Sequence, residues 1–145
     1  MNLSAHFTLE ELTASQTAAR LYLNNEPLGR ARENLNRLAA FLEDVRAVLG
    51  VPMLISSGYR SMSVNRAVGG SPQSAHMFGL AADFTAPQFG TPRDVVEALA
   101  ASGLGFDQLI LEFQQWVHIA IASEGRAPRI QVLELPTPPA QVERT

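Results

Sequence analysis

The sequence has 145 residues, of which 46% are hydrophobic and 17% charged, and it contains no cysteine. This balance is typical of one globular domain, and the missing cysteine excludes disulfides, thiol catalysis and cysteine-based zinc or iron–sulfur sites. The formal net charge of −3 disfavours nucleic acid or an anionic membrane surface as a partner.

The N-terminal segment predicts a short helix and shows no secretion signal. Thr8 and Glu11 have the spacing of a capping box, so the helix should begin at Leu9, with Phe7 and Leu12 placed as a hydrophobic staple. The first residues lack a basic and an apolar signal region, and no apolar run approaches the ~20 residues that span a bilayer. We therefore expect a soluble protein that is cytoplasmic when made and does not insert in membranes.

The middle of the chain changes from a helical pattern to a strand pattern. Leucine and valine recur at three- and four-residue steps, which predicts an amphipathic helix over residues 31–49 that ends at Gly50. The apolar runs 51–56 and 81–86 predict strands. Between them, residues 58–79 are rich in glycine and show little periodicity. This pattern predicts a long surface loop, and long loops inside compact domains are usually functional.

The second half of the chain predicts one more helix and a hairpin. Thr91 and Pro92 provide a capping residue and a first-turn proline for a helix that should stop near Gly103. Residues 107–113 and 116–121 then predict two strands, separated by so few residues that they should form an antiparallel hairpin.

The predicted fold class is α+β, with helices packed on a small, mainly antiparallel sheet. The pattern of residues 129–135 predicts a last strand. We expect residues 1–135 to form a single domain and residues 136–145 to be a proline-rich flexible tail.

Two histidines and one aspartate are the candidate ligands of a metal. Asp83 lies between Ala82 and Phe84 in a predicted strand, and burying a carboxylate there without a partner is costly. The chain has no lysine, so either a distant arginine or a metal shared with His76 and His118 could neutralise Asp83. Two histidines and one aspartate suit a catalytic zinc site with an open fourth position. From spacing alone, pairing with an arginine is the commoner outcome.

The surrounding segments resemble the zinc D-Ala-D-Ala carboxypeptidase and peptidoglycan peptidase family. The resemblance is carried in order by SGYRS at 57–61, VGGS at 68–71, SAHMFGLAADF at 74–84 and WVH at 116–118. It covers most of residues 5–135 and is closest to the short single-domain members found in phages, prophages and bacteria. It implies the hedgehog/D-Ala-D-Ala-peptidase fold and zinc bound by three residues: His76, Asp83 and His118.

The general base is Glu112 in our interpretation, although the wider family favours a different position. Many members place an acid three residues before the last histidine, where this chain has Gln115, which cannot accept a proton. Short members have a glutamate just before the Trp-Val-His strand, which corresponds to Glu112. A three-residue hairpin loop would put Glu112 opposite Trp116 on the face of His118, whereas a two-residue turn would put it on the other face.

The resemblance also implies that Arg60 and Ser74 bind the substrate. A guanidinium group can make two parallel hydrogen bonds to a carboxylate, which is the physical reason for this role of Arg60. Asp107 and Gln108 either line the cleft or only begin a strand, and we interpret them as structural residues. His6 has no metal-spaced neighbour, so we expect it at the surface.

The function implied by the resemblance is zinc-dependent hydrolysis of peptide bonds in peptidoglycan stem peptides. The enzyme would be a D-Ala-D-Ala carboxypeptidase or an endolysin-type endopeptidase, and a monomer. It would act on the cell wall after release or as part of a phage particle. The alternatives are a non-catalytic peptidoglycan-binding module and a phage structural module that retains the cleft.

Overall fold

A computed structural model of the chain describes residues 1–136, so the tail predicted for residues 136–145 lies outside the described part except for its first residue. The described helices are α1 Leu9–Thr13, α2 Gln16–Leu21, α3 Gly29–Leu49, α4 Met62–Ala67 and α5 Pro92–Ala100. The strands are β1 Leu54–Ser57, β2 Ala81–Thr85, β3 Gln108–Glu112, β4 Trp116–Ala120 and β5 Gln131–Leu135. A single 3-10 turn, Ala75–Phe78, precedes β2. The α+β prediction is confirmed.

Local capping explains where the helices begin and end. Thr8 caps α1 through the predicted capping box with Glu11, and Thr91 caps α5 in the same way with Asp94. Helix α3 begins two residues before the predicted start and ends at Gly50, which has the left-handed φ of 71° that favours glycine.

Part of the predicted loop over residues 58–79 is wrong, because its middle forms α4. Ser61 caps this helix by accepting a hydrogen bond from the backbone N–H of Val64. Val64 and Asn65 are buried. Helix α4 has only six residues and is flanked by glycines, so its sequence is too short to show a helical period. Helix α2, between the first helix and the proline at position 27, is also absent from the sequence-based prediction.

The five strands form one sheet in the order β1-β2-β4-β3-β5. All neighbouring pairs are antiparallel except β3 and β5, which are parallel. The predicted hairpin is confirmed as β3–β4, with Phe113, Gln114 and Gln115 as its loop. The predicted last strand is confirmed as β5, shortened by two residues at its start.

The two faces of the sheet have different roles. On β4, Val117 and Ile119 belong to the hydrophobic core, together with much of α3 and α5. Because side chains alternate along a strand, Trp116 and His118 point to the opposite face, which borders a cleft. The core therefore supports a rigid sheet whose other face carries polar side chains. Within residues 1–136, no helix is long and apolar enough to cross a bilayer.

Candidate metal centre and cleft

His76 is held by the 3-10 turn and by a backbone carbonyl. Its side chain is buried, and Nδ1 lies 2.7 Å from the carbonyl oxygen of Gly58. Since a carbonyl only accepts hydrogen bonds, Nδ1 of His76 is the donor in this contact. The other ring nitrogen, Nε2, faces Asp83 and lies 3.3 Å from Oδ1 of its carboxylate.

Gly58 makes this arrangement possible through a close backbone approach. A Cβ atom at position 58 would lie 2.3 Å from the carbonyl oxygen of Leu12, far inside van der Waals contact. The next backbone N–H, that of Tyr59, donates to the same carbonyl at 2.7 Å. Only glycine lets the chain pass α1 this closely and still present its own carbonyl to His76.

Asp83 and His118 come together through the pairing of β2 and β4. They are direct partners in the antiparallel register, and both are 8% exposed. Nδ1 of His118 lies 2.9 Å from Oδ1 of Asp83. The imidazole rings of His76 and His118 meet edge-on with centroids 5.0 Å apart. The sheet register thus joins residues that are 35 positions apart in the sequence.

The two histidines hold Asp83 in its ionised form. Burial by itself would raise the pKa of Asp83, but hydrogen bonds and positive charge from His118 and His76 outweigh burial and bring the pKa below its ordinary value. No arginine in residues 1–136 makes an ion pair with Asp83. The direct partners of Asp83 in the described part are therefore histidines, and the charge of Arg60 acts on Asp83 without a direct ion pair.

The three side chains fit a metal ion. One ligand atom from each of His76, Asp83 and His118 lies within 4.8 Å of the other two. Two imidazole nitrogens and a carboxylate oxygen form the donor set typical of catalytic zinc, and the carbonyl bonded to Nδ1 of His76 orients that ligand. The structure thus brings together the residues that the sequence proposed, while their role as ligands stays a prediction.

Glu112 lies on the same face of the sheet as His118. The three-residue loop places Glu112 opposite Trp116, because Phe113 and Gln114 adopt left-handed φ values of 58° and 59°. Trp116 donates its indole N–H to Oε2 of Glu112 at 2.7 Å. Of the two hairpin geometries considered from the sequence, the structure has the one that directs Glu112 into the cleft.

The surroundings of Glu112 raise its pKa above the ordinary value, which favours the protonated, neutral carboxyl. Burial raises the pKa of Glu112, and the negative charge of Asp83 raises it further. The positive charge of His118 and the hydrogen bond from Trp116 oppose these effects without cancelling them. A carboxylate with a raised pKa is suited to take and return a proton near neutral pH.

Arg60 and Ser74 form a connected pair beside the predicted ligands. The Arg60 guanidinium donates from Nη2 to Oγ of Ser74 at 3.0 Å, and the Arg60 backbone N–H donates to the carbonyl of His76 at 3.1 Å. Nε of Arg60 is buried and has no hydrogen-bond partner among the described residues. Burial lowers the pKa of Arg60, and the charges of Asp83 and Glu112 act in the opposite direction.

All six residues proposed from the sequence line one cleft of about 570 Å³. Asp107 and Gln108 line it as well, and Gln108 is also the first residue of β3. Sequence reasoning missed the contributions of Arg126 and Arg129, which also border the cleft. No motif surrounds these arginines, and only the return of the chain alongside β3 places them there.

The two remaining sequence expectations concern Gln115 and His6. Gln115 is exposed in the hairpin loop and does not line the cleft, whereas Glu112 does. His6 lies away from the predicted ligands and is exposed, as expected, with Nδ1 2.7 Å from a carboxylate oxygen of Glu43. Neither residue belongs to the group of three predicted metal ligands.

Comparison with known proteins identifies the family. Residues 5–120 match the family model described as Peptidase M15, which covers more than half of the chain and includes every residue proposed for the site. No curated protein matches the chain. Members of this family are metal-dependent peptidases, which agrees with the buried His76, Asp83 and His118 group. The chain belongs to the Peptidase M15 family, the zinc D-Ala-D-Ala carboxypeptidase family.

Proposed function

We propose that this chain is a zinc-dependent peptidase that hydrolyses peptide bonds in the stem peptides of peptidoglycan. The observation that carries the proposal is the convergence of His76, Asp83 and His118 in a cleft that also contains an acid of raised pKa, Glu112, and a cation, Arg60. Metal ligands, a proton acceptor and an anion-binding group are the parts that metal-assisted hydrolysis needs. Membership of the Peptidase M15 family supports the same reaction class.

The three ligand side chains would hold zinc, which when bound supplies Lewis-acid polarisation of a water and of the substrate carbonyl. The protein keeps His76 ready for this role by placing the ring proton on Nδ1, against the carbonyl of Gly58. Asp83 would contribute a carboxylate oxygen and its negative charge to the ion.

Glu112 would act as the general base and then as the general acid. Trp116 fixes its carboxylate through Oε2, which leaves Oε1 without a hydrogen-bond partner among the described residues. Oε1 can therefore accept the proton of the attacking water and later deliver it to the leaving amine. The raised pKa of Glu112 makes the second transfer easier than it would be from an ordinary glutamate.

Arg60 would bind a carboxylate or the scissile carbonyl of the substrate. Its guanidinium is partly buried in the cleft, and Ser74 holds it through Nη2. Because burial removes competing water, a charge-assisted hydrogen bond there is stronger than at the surface.

The direct test is mass spectrometry of purified muropeptides after incubation with the zinc-loaded protein. We expect the muropeptides to show a defined loss of mass after incubation. This loss should not occur with metal-free protein or with Glu112→Gln. Loss of one terminal alanine indicates a carboxypeptidase, and release of internal fragments indicates an endopeptidase. Tight binding of muropeptides with no cleavage by the zinc-loaded protein would instead support the non-catalytic binding module and overturn the proposal.

A further inference from the structure

The cleft continues beyond the predicted metal ligands into a second cavity. This cavity has a volume of about 390 Å³, and we call it the outer cleft. None of the predicted ligands, nor Arg60 or Glu112, borders it. The residues that it shares with the main cleft are Gln73, Asp107, Ser123, Arg126 and Arg129. A substrate that extends past the cleaved bond in this direction would therefore meet these side chains.

The outer cleft has an excess of positive charge. Arg129 is paired with Asp107, donating from Nη2 at 2.8 Å and from its backbone N–H at 3.0 Å. Arg126 lowers the pKa of Asp107 only through its charge, and its guanidinium has no hydrogen-bond or ion-pair partner among the described residues. Two guanidinium groups and one carboxylate leave a net charge of about +1 on the described lining.

A third guanidinium adds to this charge from the neighbouring helix. Arg126 also borders a cavity of about 200 Å³ together with Arg37 of α3. Arg37 donates from Nη2 to the carbonyl of Ala122 at 3.0 Å, while its buried Nη1 has no hydrogen-bond partner among the described residues. Arg126 therefore lies between the cation of Arg37 on one side and the Arg129–Asp107 pair on the other.

The segment that carries Arg126 is anchored at both ends. The backbone N–H of Ile121 donates to the carbonyl of Leu80 at 2.8 Å, and that of Ile130 donates to the carbonyl of Phe106 at 3.1 Å. Between these anchors, the backbone N–H of Arg126 closes a turn by donating to the carbonyl of Ser123 at 3.0 Å. A cation on a fixed segment loses less entropy on binding than one on a free loop, which favours a role in recognition.

We propose that Arg126 is a specificity-determining residue that binds a carboxylate of the peptide substrate away from the cleaved bond. This inference rests on the proposed function and adds the class of substrate, namely peptides with a free carboxylate that reaches the outer cleft. A planar guanidinium matches a carboxylate with two parallel hydrogen bonds, and a neutral amide cannot replace that charge. Gln73 and Ser123 supply further polar contacts.

The test compares two synthetic stem peptides that differ at a single carboxyl group away from the cleaved bond. This group is a free carboxylate in the acid peptide and a primary amide in the amide peptide. Binding is followed by the fluorescence of Trp116, the single tryptophan of the chain, which borders the main cleft. Hydrolysis by the zinc-loaded protein is measured as kcat/KM. The wild type should prefer the acid peptide about tenfold, and Arg126→Gln should abolish that preference by lowering kcat/KM for the acid peptide.

Arg30→Gln is the matched control, because it removes the same charge from an exposed residue outside the cleft. It should keep the preference for the acid peptide. Hydrolysis with no preference in the wild type, or an equal loss on both peptides in Arg126→Gln, would overturn the assignment. If neither peptide is hydrolysed but the acid peptide still binds more tightly to the wild type than to Arg126→Gln, the proposed function fails and the assignment of Arg126 stands.

Discussion

Asp83 and His118 face each other directly across β2 and β4, with Oδ1 of the aspartate 2.9 Å from Nδ1 of the histidine. This pairing makes the position of two predicted ligands a property of the sheet and not of a loop. Sites built on regular elements hold their side chains more precisely than sites on loops. The third predicted ligand, His76, reaches the same point from a short turn that is held by the carbonyl of Gly58.

The first prediction concerns metal content. The wild type should bind about one zinc ion per chain, and the His76→Ala/His118→Ala double variant should bind almost none, because one ligand cannot replace three. Elemental analysis of metal-free protein refilled with zinc measures this. Zinc should also raise the Tm of the wild type but not that of the variant. His6→Ala, which changes the one remaining histidine, should keep full stoichiometry, and a double variant that does so too would refute the assignment.

The second prediction concerns the general base. Glu112→Gln keeps the size of the side chain and an oxygen for the indole N–H of Trp116, but it cannot accept a proton. Hydrolysis should fall by about 10²–10⁴-fold with zinc still bound. Gln115→Ala, in the exposed loop of the same hairpin, should change the rate little. Normal cleavage by Glu112→Gln at full zinc occupancy would rule out Glu112 as the base.

The third prediction separates substrate binding from metal binding. Arg60→Ala should retain zinc, because Arg60 is not among the residues that could coordinate the ion. Its kcat/KM should fall about 10- to 100-fold through the loss of a charge-assisted hydrogen bond. Elemental analysis for zinc and steady-state kinetics on the same preparation measure the two effects separately. Loss of zinc with normal peptide affinity would place Arg60 in support of the metal instead.

The fourth prediction concerns the close approach of Gly58 to α1. Gly58→Ala puts a Cβ atom 2.3 Å from the carbonyl of Leu12, so the chain must shift and the free energy of unfolding should fall by about 1–3 kcal/mol. Because the same residue orients His76, zinc affinity should fall as well. Gly105→Ala is the control, since its Cβ would meet only Pro128 at an ordinary 3.7 Å. Equal stability of the two variants in denaturant would contradict this account.

The fifth prediction concerns acid stability at the N-terminus. Burial raises the pKa of Glu43, but hydrogen bonds from Ser4 and His6 lower it more, to about 2. Since the folded value lies below the ordinary 4.5, ionised Glu43 stabilises the fold above about pH 4.5, and this contribution is lost as the pH falls towards 2. Glu43→Gln should therefore lower the Tm at pH 6 by about 2–4 °C, corresponding to roughly 1 kcal/mol.

The dependence of Tm on pH tests whether the charge of Glu43 causes this stabilisation. The difference in Tm between wild type and Glu43→Gln should shrink as the pH is lowered from 4.5 towards 2. Glu33→Gln, an exposed glutamate on the same helix, should leave the Tm unchanged throughout. A difference between wild type and Glu43→Gln that stays constant over this range would show that the carboxylate charge is not its source.

Several parts of the fold follow from the sequence because they depend on neighbouring residues. The capping box at Thr8, the capping residue Thr91, the glycine end of α3 and the β3–β4 hairpin are all local patterns, and the structure has each of them. Helix α4 is local too, but it is too short to show a period. The sequence also proposed the six site residues through resemblance, and the structure lines one cleft with them.

Only the tertiary structure decided which distant groups meet. The sequence left open whether an arginine neutralises Asp83, and the β2–β4 register supplies His118 instead. It also left open the face of Glu112, which two left-handed residues in the hairpin loop determine. The parallel return of β5 beside β3 brings Arg126 and Arg129 to the cleft. Such contacts depend on strand pairing between segments far apart in the chain, which local propensity does not encode.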